Sequence, residues 1–282
     1  MTKTTLTPAE AMAERVMETV RQSGHLNVAP KRQAAAKAAL SAVPYPTTRD
    51  ERWKYTRAGR LQKLNFHSAH DQTATAPEIL PGLDAHRLTF INGRLHSGNT
   101  LTQQGLFIGP LSSALAQCPE KVQALESDHF AKDEWFAALQ ASAPQDGGAI
   151  LLDDHLIVER PILLHHHMTG GTTVAQPQHL VVLGRESKAQ VIVWTTCDDG
   201  ATGLTNGAIT AEIGERAHLA MEIVQDEQGE AHHIGHHQFR QAASSHLEVR
   251  TATARSHWLR NDLHIQQDGQ HGDSTFHGCY LP

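Results

Sequence analysis

Cysteine is scarce. The 282 residues carry three, Cys118, Cys197 and Cys279, far apart and with no C-x-x-C pair. An odd, sparse set is not a disulfide framework and suits a reducing cytoplasm. Cluster ligation wants convergent thiolates, so these read as structural thiols, with Cys279 the one to test for reactivity. No run of 18 apolar residues is present, which argues against a membrane span. Basic residues form no block, and 24 Lys and Arg against 30 Asp and Glu leave a charge of -6, so nucleic acid is not an expected partner. The opening MTKTTLTPAEAMAERV lacks the apolar segment of a secretory signal, and the expected location is cytoplasmic. There is no G-x-S-x-G elbow, and Asp153-Asp154 and Asp198-Asp199 sit in turn-like contexts, so no nucleophile constellation emerges.

What remains is ordinary globular composition, 39% hydrophobic and 19% charged, long enough for one large domain or two medium ones. The first third reads helical. Thr7-Pro8-Ala9-Glu10 is a capping box with proline at the first helical position, Met12, Val16 and Val20 recur on one face, and Ser23-Gly24 closes the helix. Ala34 to Ala42 is an alanine-rich second helix stopped by Pro44 and Pro46. Thr48 to Glu51 is a second capping-box match, ahead of Trp53 and Tyr55, which read as packing residues, and Ser68 to Pro81 is polar loop. HRLTFINGRLHSG, from His86, alternates around Asn92-Gly93, a strong hairpin signal, and Asp133 to Ala141 reads as helix. PQDGG at 144–148 marks a boundary. The expected division is therefore 1–85 helical, 86–146 a mixed connecting region with hairpin and helix, and 147–282 a β core.

After Gly148 no long helix is convincing. Segments beginning at Leu180, Ala208, His236 and His264 stack at an offset of 28, each a strand, a polar turn and a second strand starting near Ala189, Ala217, Ser245 and Asp273. One such coil cannot bury its apolar face alone, whereas stacked coils share a core. The fold class expected is mainly β, a parallel β-helix behind a small helical domain; a jelly roll or sandwich with coincidental spacing is the competing fold.

The abundant residue is histidine, 21 in all. In EAHHIGHHQ (230–238), strand alternation puts His232 and His236 on one face and His233 and His237 on the other. Residues four apart on a strand lie roughly 13 Å apart, too far for imidazoles to share one ion. The 28-residue offset would set His236 over His264 and His218 over His246. His165-His166-His167 alternates likewise. The plain reading is surface histidines on a β-helix face, and no residue is assigned a catalytic, cofactor-binding or metal-ligating role.

Several stretches, in order, resemble one family. DERWKYT (50–56) is similar to the N-terminal signature of the SufB/SufD proteins of the SUF iron–sulfur cluster assembly system. INGRL (91–95) resembles that family's hairpin, and EWFAALQASAPQDGGAILLDDHLIVERPILL (134–164) its lead into the β-helix. VQDE (224–227), HIG (233–235) and LRNDLHIQQDGQ (259–270) match in order and spacing. The likeness spans about residues 45–282 and is nearer to the SufD branch. It implies a right-handed parallel β-helix and a non-catalytic scaffold subunit pairing with a SufB-like subunit and the SufC-like ATPase, or with a second copy of itself. It also implies no firmly bound cofactor, the iron–sulfur cluster being handled transiently by the complex. The absence of a G-x-x-x-x-G-K-[ST] loop agrees with a subunit that is not itself an ATPase. Family members continue past HGCYLP, so the expectation is a C-terminally truncated form whose β-helix is incomplete at that end. Two enzyme readings compete: a His-rich metal-dependent cupin-like enzyme, and a polysaccharide-active β-helix, for which no cluster of paired Asp with Arg or Lys is found.

Overall fold

Helix α1 (Pro8–Ser23) forms where the capping box places it. Thr7 Oγ1 accepts from the Glu10 N–H at 3.3 Å while the Glu10 carboxylate accepts from the Thr7 N–H at 2.8 Å, and Gly24 at φ 96° ends the helix. α2 (Pro30–Ala42) starts four residues before the alanine-rich run, because Pro30 at its first position supplies a helical φ without a wasted N–H. The second capping-box match does not hold. Asp50, not Thr48, caps a short 3-10 turn at Glu51–Trp53, accepting from Arg52 N–H at 3.1 Å. The structure, a computed structural model, describes residues 6–68, 74–127 and 133–281; the loop expected over 68–81 lies partly outside them.

The rest is chiefly strand: 42% of the chain is strand and 23% helix, with a β-solenoid of about five turns behind the helical region. β1 (His86–Ile91) and β2 (Arg94–Gly98) form the expected hairpin, with Asn92 and Gly93 at φ 50° and 78°. β3 (Leu101–Gln103) and β4 (Leu106–Pro110) form a second, followed by α3 (Leu111–Gln117), α4 (Pro119–Val122) and α5 (Trp135–Ser142). The coils then run through β5 (Gly148–Leu152), β6 (Ile162–Met168), β7 (Val174–Ala175), β8 (Gln178–Leu183), β9 (Lys188–Cys197), β10 (Leu204–Ile213), β11 (His218–Glu227), β12 (His232–Gln241), β13 (His246–Arg255), β14 (Trp258–Gln267) and β15 (Asp273–Tyr280).

These strands make two sheets, a seven-stranded one ordered β15-β13-β11-β9-β6-β1-β2 and an eight-stranded one ordered β14-β12-β10-β8-β5-β4-β3. Every pairing among β6, β8 to β15, β1 with β6, and β5 with β8 is parallel; among the described residues only the two hairpins and β4 with β5 are antiparallel. Parallel stacking removes the jelly roll and sandwich, and with them the fold a cupin-like enzyme needs.

The repeat is real but its period drifts. Leu180 pairs with Thr210, thirty residues on; Ala208 with His236, twenty-eight on; His236 with Asp262, twenty-six on. The expected column of Leu180, Ala208, His236 and His264 therefore holds only at its centre, and His264 lies beside Gln238 instead. His218 does lie beside His246, their ring centroids 5.9 Å apart. The drift has its source in the turns, which shorten along the stack while most strands keep ten residues.

One turn per coil repeats a strained residue. His155, Glu186, Arg216, Ser244 and His271 all have φ between 54° and 64°, a conformation L residues with a side chain rarely take. It persists because it aims the N–H along the stack: Glu186 donates to Glu215 O, Arg216 to Ala243 O and Ser244 to Gln270 O at 2.8 to 3.0 Å.

Between the sheets lies a core of inward Ile, Leu, Val, Met and Phe, among them Val191, Ile209, Met221 and Phe239. The helices do not form a separate core. Met12, Val16, Trp53, Trp135, Phe136 and Leu139 pack directly on Val174, Leu204 and Ile234 of the eight-stranded sheet's outer face. Trp53 is fully buried there, under the guanidinium of Arg260 at 4.2 Å, while Tyr55 is 89% exposed, with the Lys54 ammonium 5.5 Å from its ring, and lies outside the core, contrary to expectation.

Candidate functional site

Strand alternation sorts the histidines into three groups, and among the described residues eight are buried. His165, His166, His167, His179, His232, His233, His236 and His237 are each only 3–5% exposed, so the expected surface array is a set of interior side chains. The faces were anticipated; what covers them was not.

The first group lies outside β6, where Leu163, His165 and His167 alternate with the inward Ile162, Leu164 and His166. His167 Nε2 is 3.1 Å from Asp198 Oδ1 and its Nδ1 is 2.9 Å from Thr196 Oγ1, which in turn lies 2.8 Å from His165 Nε2. A carboxylate only accepts, so His167 carries its proton on Nε2 and takes the Thr196 O–H at Nδ1; Thr196 then accepts from His165 Nε2–H. His165 Nδ1 is left with the lone pair, beside a cavity of about 310 Å³ that Arg87, Thr89 and His96 also line. Burial, then the neighbouring His167 and Arg87, pushes His165 down to about 4. Burial also lowers His167, and Asp198 opposes it. Asp198 is both the turn residue expected and the anchor of this chain.

The second group lies outside β10 and β12, under α5. His236 Nε2 sits 3.1 Å from Asn206 Oδ1; Asn206 Nδ2 donates to Phe136 O and to Gln176 Oε1, both at 3.0 Å; and Gln176 Nε2 donates to Ala143 O at 2.9 Å. Amide side chains of successive coils thus grip the backbone of α5. His236 is held well below its ordinary value, first by burial. His232 is lowered too, by burial against a carbonyl bond to Gly203.

The third group points into the solenoid. His166 stacks on Phe90 with centroids 4.7 Å apart and meets His179 edge-on at 4.8 Å. His179 Nδ1 accepts from Gly148 N–H at 2.9 Å, and burial still brings it to about 4. His237, desolvated and near His233 and His179, falls to about 3. His233 Nδ1 is 2.9 Å from Glu227 Oε2, a carboxylate only 2% exposed, yet neither atom is aligned for a hydrogen bond. Gln225, Asn261 and Thr253 complete the polar wall through long contacts of 3.4 to 3.5 Å. Residue-level reading missed Glu227, Gln225 and Asn206. The signal for the first two was present, since Leu219, Met221, Ile223, Gln225 and Glu227 are spaced by two and share the inward face.

Among the described residues no three His, Cys, Asp or Glu side chains converge as a metal-holding group. The cysteines do not gather: Cys118 is half-buried, Cys279 exposed, and Cys197 buried with its thiol donating to Gln228 O and pushed up to about 12 by burial and Glu227. No helix among the described residues is long and apolar enough to cross a membrane.

A family model described as the SufBD protein N-terminal region matches residues 14–164, and one described as SUF system FeS cluster assembly, SufBD core domain, matches residues 166–282. The chain belongs to the SufB/SufD family. Its role lies in SUF iron–sulfur cluster assembly. No curated protein matches the chain. The two SufBD regions meet inside β6, between Leu164 and His166, so the histidine triplet is where the N-terminal region hands over to the core. Both SufBD regions contribute strands to each sheet.

Proposed function

We propose that this SufB/SufD chain is a scaffold subunit of the SufD type, without catalytic activity of its own. It pairs with a SufB-like subunit, engages a SufC-like ATPase and works in the cytoplasm. The iron–sulfur cluster is the cargo of that complex, not a resident cofactor of this chain. The observation that carries the reading is the succession of the two family regions across residues 14–282, borne on a solenoid whose helices are bonded into its outer face. Rigid stacked strands present extended faces suited to protein docking. On the seven-stranded sheet the outer side of β11 and β13 carries ion pairs such as Arg250 with Glu222 and Arg255 with Asp226, a polar surface of the kind that steers partners rather than gluing them.

Co-expression with SufB-like and SufC-like proteins of the same source tests it. The expected result is co-elution of all three at fixed stoichiometry on size exclusion. A chain that elutes alone or only with copies of itself refutes the pairing.

A further inference from the structure

The interior of the solenoid has two halves. Toward the β10–β11 turn the inward positions are apolar, as with Ile209, Ala211, Ile213, Leu219 and Met221. Toward the β11–β12 turn they are His166, His233, His237, Gln225, Glu227 and Asn261. In this second half His166 Nε2, His237 Nδ1 and Asn261 Nδ2 have no hydrogen-bond partner, while His233 Nδ1 and Glu227 Oε2 face each other at 2.9 Å without hydrogen-bond alignment. The four residues other than Asn261 are more than nine-tenths buried. Folded proteins satisfy nearly all buried polar atoms, and leaving this many dry would erode a large share of a domain's stability.

There is room for an occupant. Gly207 and Gly235 are adjacent inward positions of β10 and β12 with no side chain to fill the space. At Gly235 the gap is taken, since an added Cβ would stand 2.5 Å from both Asn261 Oδ1 and His237 Nε2. At Gly207 only Pro177 crowds it, with Cγ at 3.3 Å in a tight contact and the next atom 3.8 Å away. Of the inward positions of β10, Gly207 alone is partly exposed while the others are buried. Its column lies between that of Thr205 and His233 and that of His179, Ile209 and His237.

The chemistry of the orphans selects the occupant. Glu227 Oε2 only accepts and Asn261 Nδ2 only donates, while each free imidazole nitrogen does one or the other by tautomer. A cation would suit the acceptors and be repelled by the amide N–H groups. Water serves both. We propose that the polar half of the interior holds a file of ordered waters beside Gly207, hydrogen-bonded to His166, His233, His237 and Glu227, forming an internal path along which protons reach these imidazoles without unfolding.

High-resolution diffraction from the full chain near neutral pH, with neutron data to place hydrogens, tests the occupancy. Discrete waters bridging at least three of the orphaned atoms are expected. A dry interior with the side chains paired directly, or an anomalous scatterer in place of water, overturns the proposal. Gly207→Ala tests the path: the new methyl presses only on Pro177 and takes the place of one water, and a denaturant melt checks that the variant keeps the fold. Exchange of the His233 imidazole N–H with solvent, followed by NMR, should slow about tenfold while backbone exchange in the strands stays unchanged. Equal slowing of both, or of neither, overturns the path.

Discussion

Lowering the pH from 7 to 5 should unfold this protein through its histidines. In the unfolded chain an imidazole takes its proton near pH 6.5. Buried in the fold, His165 and His179 wait until about 4 and His237 until about 3. Above 6.5 all three are neutral in both states and their contribution to stability is complete. Between 6.5 and the folded values only the unfolded chain binds the protons, so stability falls as the pH falls, by about 1.4 kcal/mol per pH unit for each group. At pH 5 that is about 2 kcal/mol per histidine and about 6 kcal/mol for the three, against a total of about 5–15 kcal/mol for a typical domain. His166 and His236 shift in the same direction and add to the loss. Guanidinium melts followed by circular dichroism at half-unit steps give the slope of stability against pH, which should approach three protons or more near pH 5.5. His237→Leu should remove about one proton from that slope. A stability constant to within about 1 kcal/mol between pH 7 and 5 would refute the assignment of these rings as buried and neutral.

Three further outcomes follow from the packing. Iodoacetamide should label Cys279 first and leave Cys197 unmodified until the chain unfolds, because Cys197 is buried and its thiol is raised to about 12; mass spectrometry of peptides reads the order. Gly235→Ala should cost about 1–3 kcal/mol in a denaturant melt, since its methyl would overlap Asn261 and His237. Ser244→Asn should stabilise the protein by a few tenths to about 1 kcal/mol, because asparagine tolerates the left-handed conformation held at φ 56°; a lower melting temperature would contradict the account of the turn ladder.

Features written in local chemistry were legible in the sequence. The Thr7–Glu10 box, the Asn92-Gly93 hairpin and the strand-turn-strand repeat each depend on residues close in the chain; the first two stand where they were read, and the repeat stands with a drifting period. The inward and outward sorting of His232, His233, His236 and His237 was also legible, since alternation needs no tertiary knowledge. Burial was not. His236 is outward on its strand yet covered, because Asn206 and α5, built from residues 135–142, close over it. A fixed offset of 28 failed at both ends of the stack because turn length, unlike strand length, is not constrained by the core, so His264 missed His236 by two residues. Tyr55 was misread because a 3-10 turn ends at Trp53 and carries the next aromatic outward.

The left-handed turn residues have a wider consequence. Backbone bonds tie one turn to the next at 155, 186, 216 and 244, and side chains of different chemistry project beyond them. Glu186 already reaches both His155 and Arg216, so three successive turns are linked along one rim. Successive positions on this rim stand one strand spacing apart, about 4.8 Å, so the backbone holds whatever groups project there at fixed intervals.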